Sequence, residues 1–207
     1  MKRLLLASYG VGALPELAGG NADGLRLAFV PTAAGPDAET KEWVQSDRRQ
    51  LEVLGCEVST LDLARVAVNE VKEALRGVDG VFLAGGNSYL LLWHARRSGF
   101  AGVVSPLVES GELLYVGTSA GAMVAGPDLA PAANLDNRRE VPELESSVAL
   151  GFVPFTVLPH DNDPEAQALH DDIVAAHPSI PFVRLKDGAA VLVRDDAVEV
   201  VDSPLLA

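Results

Sequence analysis

Short apolar runs alternate with helical patterns along the first half of the chain, and this alternation limits the fold more than any other feature. Leu4–Ser8, Leu25–Pro31, Glu57–Leu61, Gly80–Ala84 and Leu113–Gly117 read as strands. Most are apolar without a break, as expected when both faces of a sheet are covered. Between them, Ala38–Leu54, Asn69–Leu75 and Ser88–Arg97 carry apolar and charged residues at helical spacing, and Phe100–Ser110 reads as a further helix. Strands separated by helices imply βαβ crossovers and a mainly parallel sheet.

The second half is less regular. Gly126–Glu145 is rich in Pro, Asn, Asp and Arg and reads as a long surface loop, a length that in a compact domain points to function or disorder. Val148–Leu158 resumes an apolar run, and Pro164–Ala176 reads as a helix. Phe182–Leu185, Ala189–Val193 and Val198–Val201 read as closing strands, the last two joined at Arg194-Asp195-Asp196. No repeat, low-complexity tract or linker divides the chain. Its 207 residues suit one compact α/β domain spanning 1–207.

Composition removes several function classes. The net charge of −13, from 16 Lys+Arg against 29 Asp+Glu, offers no footprint for a nucleic acid and repels acidic substrates at long range. No apolar run approaches the roughly 18 residues of a spanning helix, so no membrane partner is expected. The opening Met1-Lys2-Arg3-Leu4-Leu5-Leu6 imitates a signal peptide, but its apolar part is short and Tyr9-Gly10 follows at once. A buried first strand and a cytoplasmic location are therefore expected. The single cysteine, Cys56, excludes an internal disulfide and reads as a small buried residue at a helix-to-strand junction.

Gly117-Thr118-Ser119-Ala120-Gly121 matches G-x-S-x-G. A strand feeds the motif and the small residues Ala120–Val124 leave it as a helix start, the strand–turn–helix of a nucleophile elbow. Glycines beside the serine suit a tight, strained turn with backbone passing close by. The alternative is that Ser119 caps the helix, a role serine often takes. For an oxyanion, the N–H of Ala120 is one candidate donor and that of Gly86, in Ala84-Gly85-Gly86-Asn87, the second. That glycine segment also reads as an ordinary strand-to-helix turn with Asn87 or Ser88 as cap.

A serine hydroxyl needs a base within hydrogen-bond reach. Of the four histidines, His160 closes the run Phe155–Pro159 and opens a polar loop, which puts it at a strand end on the active edge. His94, His170 and His177 lie in or next to helical segments. Asp187, after the strand Phe182–Leu185, can hold His160, with Asp136, Asp161 and Asp163 as alternatives. No ligand cluster for a metal or organic cofactor is visible.

The Gly-Gly-Asn of residues 85–87, the Ser-Ala-Gly-Ala of 119–122 and Pro159-His160 together resemble the peptidase E family of aspartyl dipeptidases, related to cyanophycinases. The resemblance covers most of the chain, in order and at similar spacing. It implies a flavodoxin-like three-layer α/β sandwich, laid out like class I glutamine amidotransferases, which carry Cys where this chain has Ser119. It implies Ser119 as nucleophile, His160 as base, and Gly86 and Ala120 as oxyanion donors. The family's acid, a Glu before Gly, falls on Asp187, one methylene shorter. Asp136 falls near another acid considered for such enzymes. With Asp136, Asn87 and Arg138 are candidates for substrate binding.

One departure bears on specificity. Aspartyl dipeptidases receive the substrate's Asp side chain on an arginine after the catalytic histidine, but residues 161–170 here contain no Arg or Lys. Arg138, Arg139 and Arg184 are the candidates to replace it. The expectation is a cofactor-independent serine peptidase acting on dipeptides or short peptides, with altered or relaxed Asp-X preference. An esterase or amidase on the same elbow, and a non-catalytic binding domain, are the rival readings. Homodimers are common among enzymes of this size, but no interface is legible in the sequence.

Overall fold

The structure, a computed structural model, describes residues 1–206. Its centre is a seven-stranded sheet. Five strands are parallel: β1 (Arg3–Ala7), β2 (Arg26–Val30), β3 (Glu57–Thr60), β4 (Gly80–Leu83) and β5 (Leu114–Thr118). Two more, β8 (Ala189–Arg194) and β9 (Ala197–Asp202), add an antiparallel hairpin beside β1, giving the order β3-β2-β4-β5-β1-β8-β9. The α/β class and the mainly parallel sheet are those expected from the alternation of patterns.

Period two in the strands explains how the layers form. Leu4 and Leu6, Ala28 and Val30, and Val81 and Leu83 face one buried core, while Leu5 and Ala7, Leu27 and Phe29, and Phe82 and Ala84 face the other. Each fully buried Leu or Phe contributes about 1.5–3 kcal/mol by leaving water, so neither face can be left open. On the first side pack α3 (Val68–Ala74), α4 (Ser88–Arg97) and α5 (Phe100–Ser110). On the other lie the short α1 (Leu14–Leu17) and α2 (Glu42–Val53). No helix among the described residues is long and apolar enough to cross a membrane.

Three local differences from the sequence expectations matter for the site. The helix after Ser119, α6 (Ala120–Met123), is a single turn, because Gly126-Pro127 ends the run. The segment Val148–Leu158 forms a strand only at β6 (Thr156–Leu158). Upstream, Leu150, Gly151 and Phe152 donate backbone bonds to Val124, Gly126 and Ala125, folding the chain back over α6. Finally, β6 pairs only with β7 (Phe182–Arg184), in a separate two-stranded parallel sheet. His160 and Asp187 therefore follow two adjacent parallel strands outside the main sheet, with α7 (Pro164–Ala176) as their crossover. Beyond β7 the chain returns to the main sheet: Gly188 N–H donates to Tyr9 O at 2.8 Å, and Ser8 N–H donates to Ala189 O at 3.1 Å where β8 begins beside β1.

Candidate active site

Ser119 sits at the turn between β5 and α6 with φ 47° and ψ −108°, a conformation that a residue with a Cβ rarely adopts. Its own N–H anchors the turn, donating to Ala7 O at 2.9 Å and to Ser8 O at 3.1 Å. The strain is on the serine itself, and the flanking glycines are needed for space rather than for their angles. A Cβ on Gly117 would lie 2.4 Å from the Gly121 backbone, and one on Gly121 would lie 2.1 Å from Leu83 O. The G-x-S-x-G spacing thus lets two strand ends and the helical turn close on one another. Ser119 occupies the N-cap position of α6, yet its side chain makes no capping bond.

The hydroxyl bonds to histidine instead. Ser119 Oγ is 3.0 Å from His160 Nε2, and His160 Nδ1 is 2.8 Å from Asp187 Oδ1. A carboxylate on Nδ1 favours the tautomer whose proton is there, leaving Nε2 to accept from the serine. His160 is held with φ 62°, and its N–H donates to Ser8 Oγ at 2.7 Å. The Ser8 hydroxyl in turn donates to Asp187 Oδ1 at 2.7 Å. A closed ring thus runs from the His160 backbone through Ser8 and Asp187 to the imidazole. Asn162 completes the support: its Oδ1 accepts the Asp187 N–H at 2.7 Å.

The other candidate acids have different partners. Asp163 caps α7, accepting from the N–H groups of Glu165 and Ala166. Asp161 Oδ1 accepts from His170 Nδ1 at 2.9 Å and Arg184 Nε at 2.7 Å. Burial acts to raise its pKa, but those two partners outweigh burial and hold the carboxyl below the usual range. Asp136 Oδ2 accepts from the N–H and hydroxyl of Ser88, and burial pushes its pKa up. Arg184 is committed to Asp161 and Asp171.

Gly85 and Gly86 approach the serine from the end of β4. A Cβ on Gly85 would stand 3.3 Å from Ser119 Cβ, and Gly86, at φ 144°, presses against the Ala33 backbone. Neither the Gly86 nor the Ala120 N–H is engaged by a partner among the described residues. Asn87 turns away as the cap of α4, accepting from Tyr89 and Leu90 N–H, while its amide donates to Asn137 O and Glu140 Oε2. Arg138 Nη2 donates to Leu144 O at 3.2 Å. Neither Asn87 nor Arg138 lines the cleft at Ser119, whereas Asp136 does.

That cleft has a volume of about 740 Å³, within the range of small-molecule sites. One wall is α2, whose Trp43 Nε1 donates to Gly85 O at 3.3 Å. Asp47, one turn on, is 1% exposed and accepts from Thr118 Oγ1 at 2.9 Å through Oδ2, while its Oδ1 has no partner. Burial pushes its pKa up to about 7, against the opposing pull of Thr118 and the Gly85 N–H. Below about pH 7 the folded protein holds this proton, whereas the unfolded chain releases it near 3.8. Stability from this group is therefore greatest below pH 3.8, falls as pH rises to about 7, and is level above. Asp47→Asn removes the titration. In urea unfolding, the variant should gain on the wild type by roughly 2–3 kcal/mol between about pH 5 and about pH 8. A difference independent of pH would place the Asp47 proton elsewhere.

Ser8, Asn162 and the α2 wall were not anticipated from sequence. A lone serine at a strand end and an asparagine in a polar loop carry no distinguishing pattern. Asp47 carried a signal: with Val44 and Leu51 at helical spacing, it lies on the apolar face of α2.

Comparison with known proteins adds an independent line. Residues 12–201 match the model of peptidase family S51. The uncharacterized peptidase Lin0382 of Listeria innocua is 31% identical over 201 residues, 96% of this chain and 95% of its own length. Peptidase E of Streptomyces coelicolor is 34% identical over 158 residues, 76% of this chain and 60% of its own. The crystal structure of a peptidase E-like protein from Listeria monocytogenes EGD-e superposes with a TM-score of 0.88 at 28% identity, covering 98% of each chain.

Proposed function

The chain belongs to peptidase family S51, and from that premise we propose that it is a serine-type dipeptidase that hydrolyses dipeptides or short peptides through an acyl-enzyme on Ser119. The observation that carries this reading is the continuous hydrogen-bond path from Ser119 Oγ through His160 to Asp187 at 3.0 and 2.8 Å. Such a path supplies what acyl transfer requires: a hydroxyl, a base bonded to it, and a carboxylate that fixes the base.

In this mechanism Ser119 Oγ attacks the peptide carbonyl carbon while His160 Nε2 takes the hydroxyl proton. The carbonyl oxygen becomes an oxyanion facing the N–H groups of Gly86 and Ala120. The C–N bond then breaks, and His160 passes its proton to the departing amine. Water, activated by His160, attacks the ester and releases the acid with Ser119 restored. The Asp187 carboxylate orients the ring and stabilises the imidazolium that forms. Ser8 acts through His160 and Asp187 as a positioning residue.

Family membership, with the resemblance to aspartyl dipeptidases, supports a dipeptide as substrate. Because Arg184 is paired with Asp161 and Asp171, Arg138 reaches a loop carbonyl and Arg139 does not line the cleft, none of the three replaces the family's receiver of an Asp side chain, and the one cleft arginine, Arg49, projects from α2 rather than from the segment after His160. The reading is therefore a dipeptidase with relaxed Asp-X preference. A panel of Asp-X, Glu-X and neutral X-X dipeptides tests it, with kcat/KM for neutral members expected within about tenfold of Asp-X. Exclusive hydrolysis of Asp-X would refute relaxed selectivity. Turnover of simple esters with no dipeptide cleaved would replace the peptidase reading with an esterase.

A further inference from the structure

A free dipeptide carries a terminal carboxylate whatever its side chains, and the cleft is a poor place for an anion. Glu42, Asp47, Asp136, Asp163 and Glu165 all line it. Arg49 is the single Lys or Arg among the lining residues. It projects from α2, the helix that touches the glycine loop through Trp43 and the strand end before Ser119 through Asp47. It also stands uncommitted. Its neighbour Arg48 pairs with Glu39 and bonds Thr60, whereas Arg49 makes no ion pair or hydrogen bond among the described residues.

We propose that Arg49 receives the C-terminal carboxylate of the substrate and so sets the enzyme's preference for free dipeptides. This rests on the peptidase reading and deepens it. The planar guanidinium presents paired N–H donors that match a carboxylate, and its side chain is exposed to the cleft rather than spent on the fold. With Glu42, Asp163 and Glu165 on the other walls, a peptide whose carboxylate lies away from Arg49 meets no side-chain cation of Lys or Arg and several acids. A peptide extended beyond two residues, or ending in an amide, brings no charge to that point. Length selection then follows from one cation in an acidic cleft.

The test compares the panel dipeptide cleaved fastest with its C-terminal amide, using wild type, Arg49→Gln and Arg49→Lys. Arg49→Gln should lower kcat/KM for the free acid about 10- to 100-fold and change the amide by less than about threefold, so that wild-type preference for the acid collapses. Arg49→Lys should retain an intermediate preference, because it keeps the charge and loses the fork. Arg49 is exposed, so thermal melts of both variants should match the wild type. Equal losses on acid and amide, or no loss on either, would overturn the assignment while leaving the peptidase reading intact. A wild type that cleaves no dipeptide would overturn that reading and this assignment with it.

Discussion

Ser119→Ala should lower kcat/KM for the best dipeptide by about 10⁴- to 10⁶-fold while leaving the fold in place. The size of the loss follows from the proposed mechanism, in which this hydroxyl oxygen forms the acyl-enzyme and residual binding and oxyanion donors cannot replace it. The serine also holds a strained backbone, at φ 47° and ψ −108°, so the variant needs a check on stability. Alanine carries the same Cβ and the same two backbone bonds to Ala7 and Ser8. Its thermal midpoint should therefore stay close to that of the wild type. A serine-directed phosphonate should label the wild type at Ser119 and leave the variant unlabelled. Retained hydrolysis in Ser119→Ala would remove the acyl-enzyme from the mechanism. An unlabelled wild type that cleaves no panel member would favour a binding domain.

The contrast between Ser119 and its surroundings shows which parts of the site a sequence can reveal. The elbow was legible because its chemistry and its sterics act on adjacent residues. The serine must follow a strand, and Gly117 and Gly121 must let backbone pass within contact distance, so one five-residue pattern records both demands. His160 was legible because an apolar run ends there, although the strand belongs to the small β6–β7 sheet and not to the main one. Nothing local distinguishes Ser8. It matters because the segment between β7 and β8 bonds the loop after β1 through Gly188, and only the folded chain puts its hydroxyl between His160 and Asp187. Arg49 was hidden for a similar reason. It reads as one more charge on the solvent face of a surface helix until the fold makes that helix a wall of the cleft.

The choice of Asp187 leaned on the family resemblance rather than on local pattern, since Asp136, Asp161, Asp163 and Asp187 all lie in polar segments of suitable position. Asp187→Asn should reduce kcat about 10²- to 10⁴-fold with KM changed little. The carboxylate accepts both the His160 ring proton and the Ser8 hydroxyl on Oδ1. An amide can meet one of these demands with its oxygen, but its nitrogen turned toward Nδ1 would leave the proton on Nε2. A histidine protonated there cannot accept from Ser119. The loss thus falls on the chemical step rather than on substrate binding, which separates it from a general loosening of the site. Ser8→Ala removes one arm of the same ring without touching the tautomer, so its effect on kcat should be smaller, about tenfold. The other acids supply the contrast. Asp163→Asn keeps an α7 cap, and Asp136→Asn keeps an acceptor for Ser88, so each should hold kcat within about tenfold. If Asp136→Asn instead produced the large loss and Asp187→Asn did not, the imidazole would be oriented from the long loop after α6, and the ring through Ser8 would be only a structural clamp.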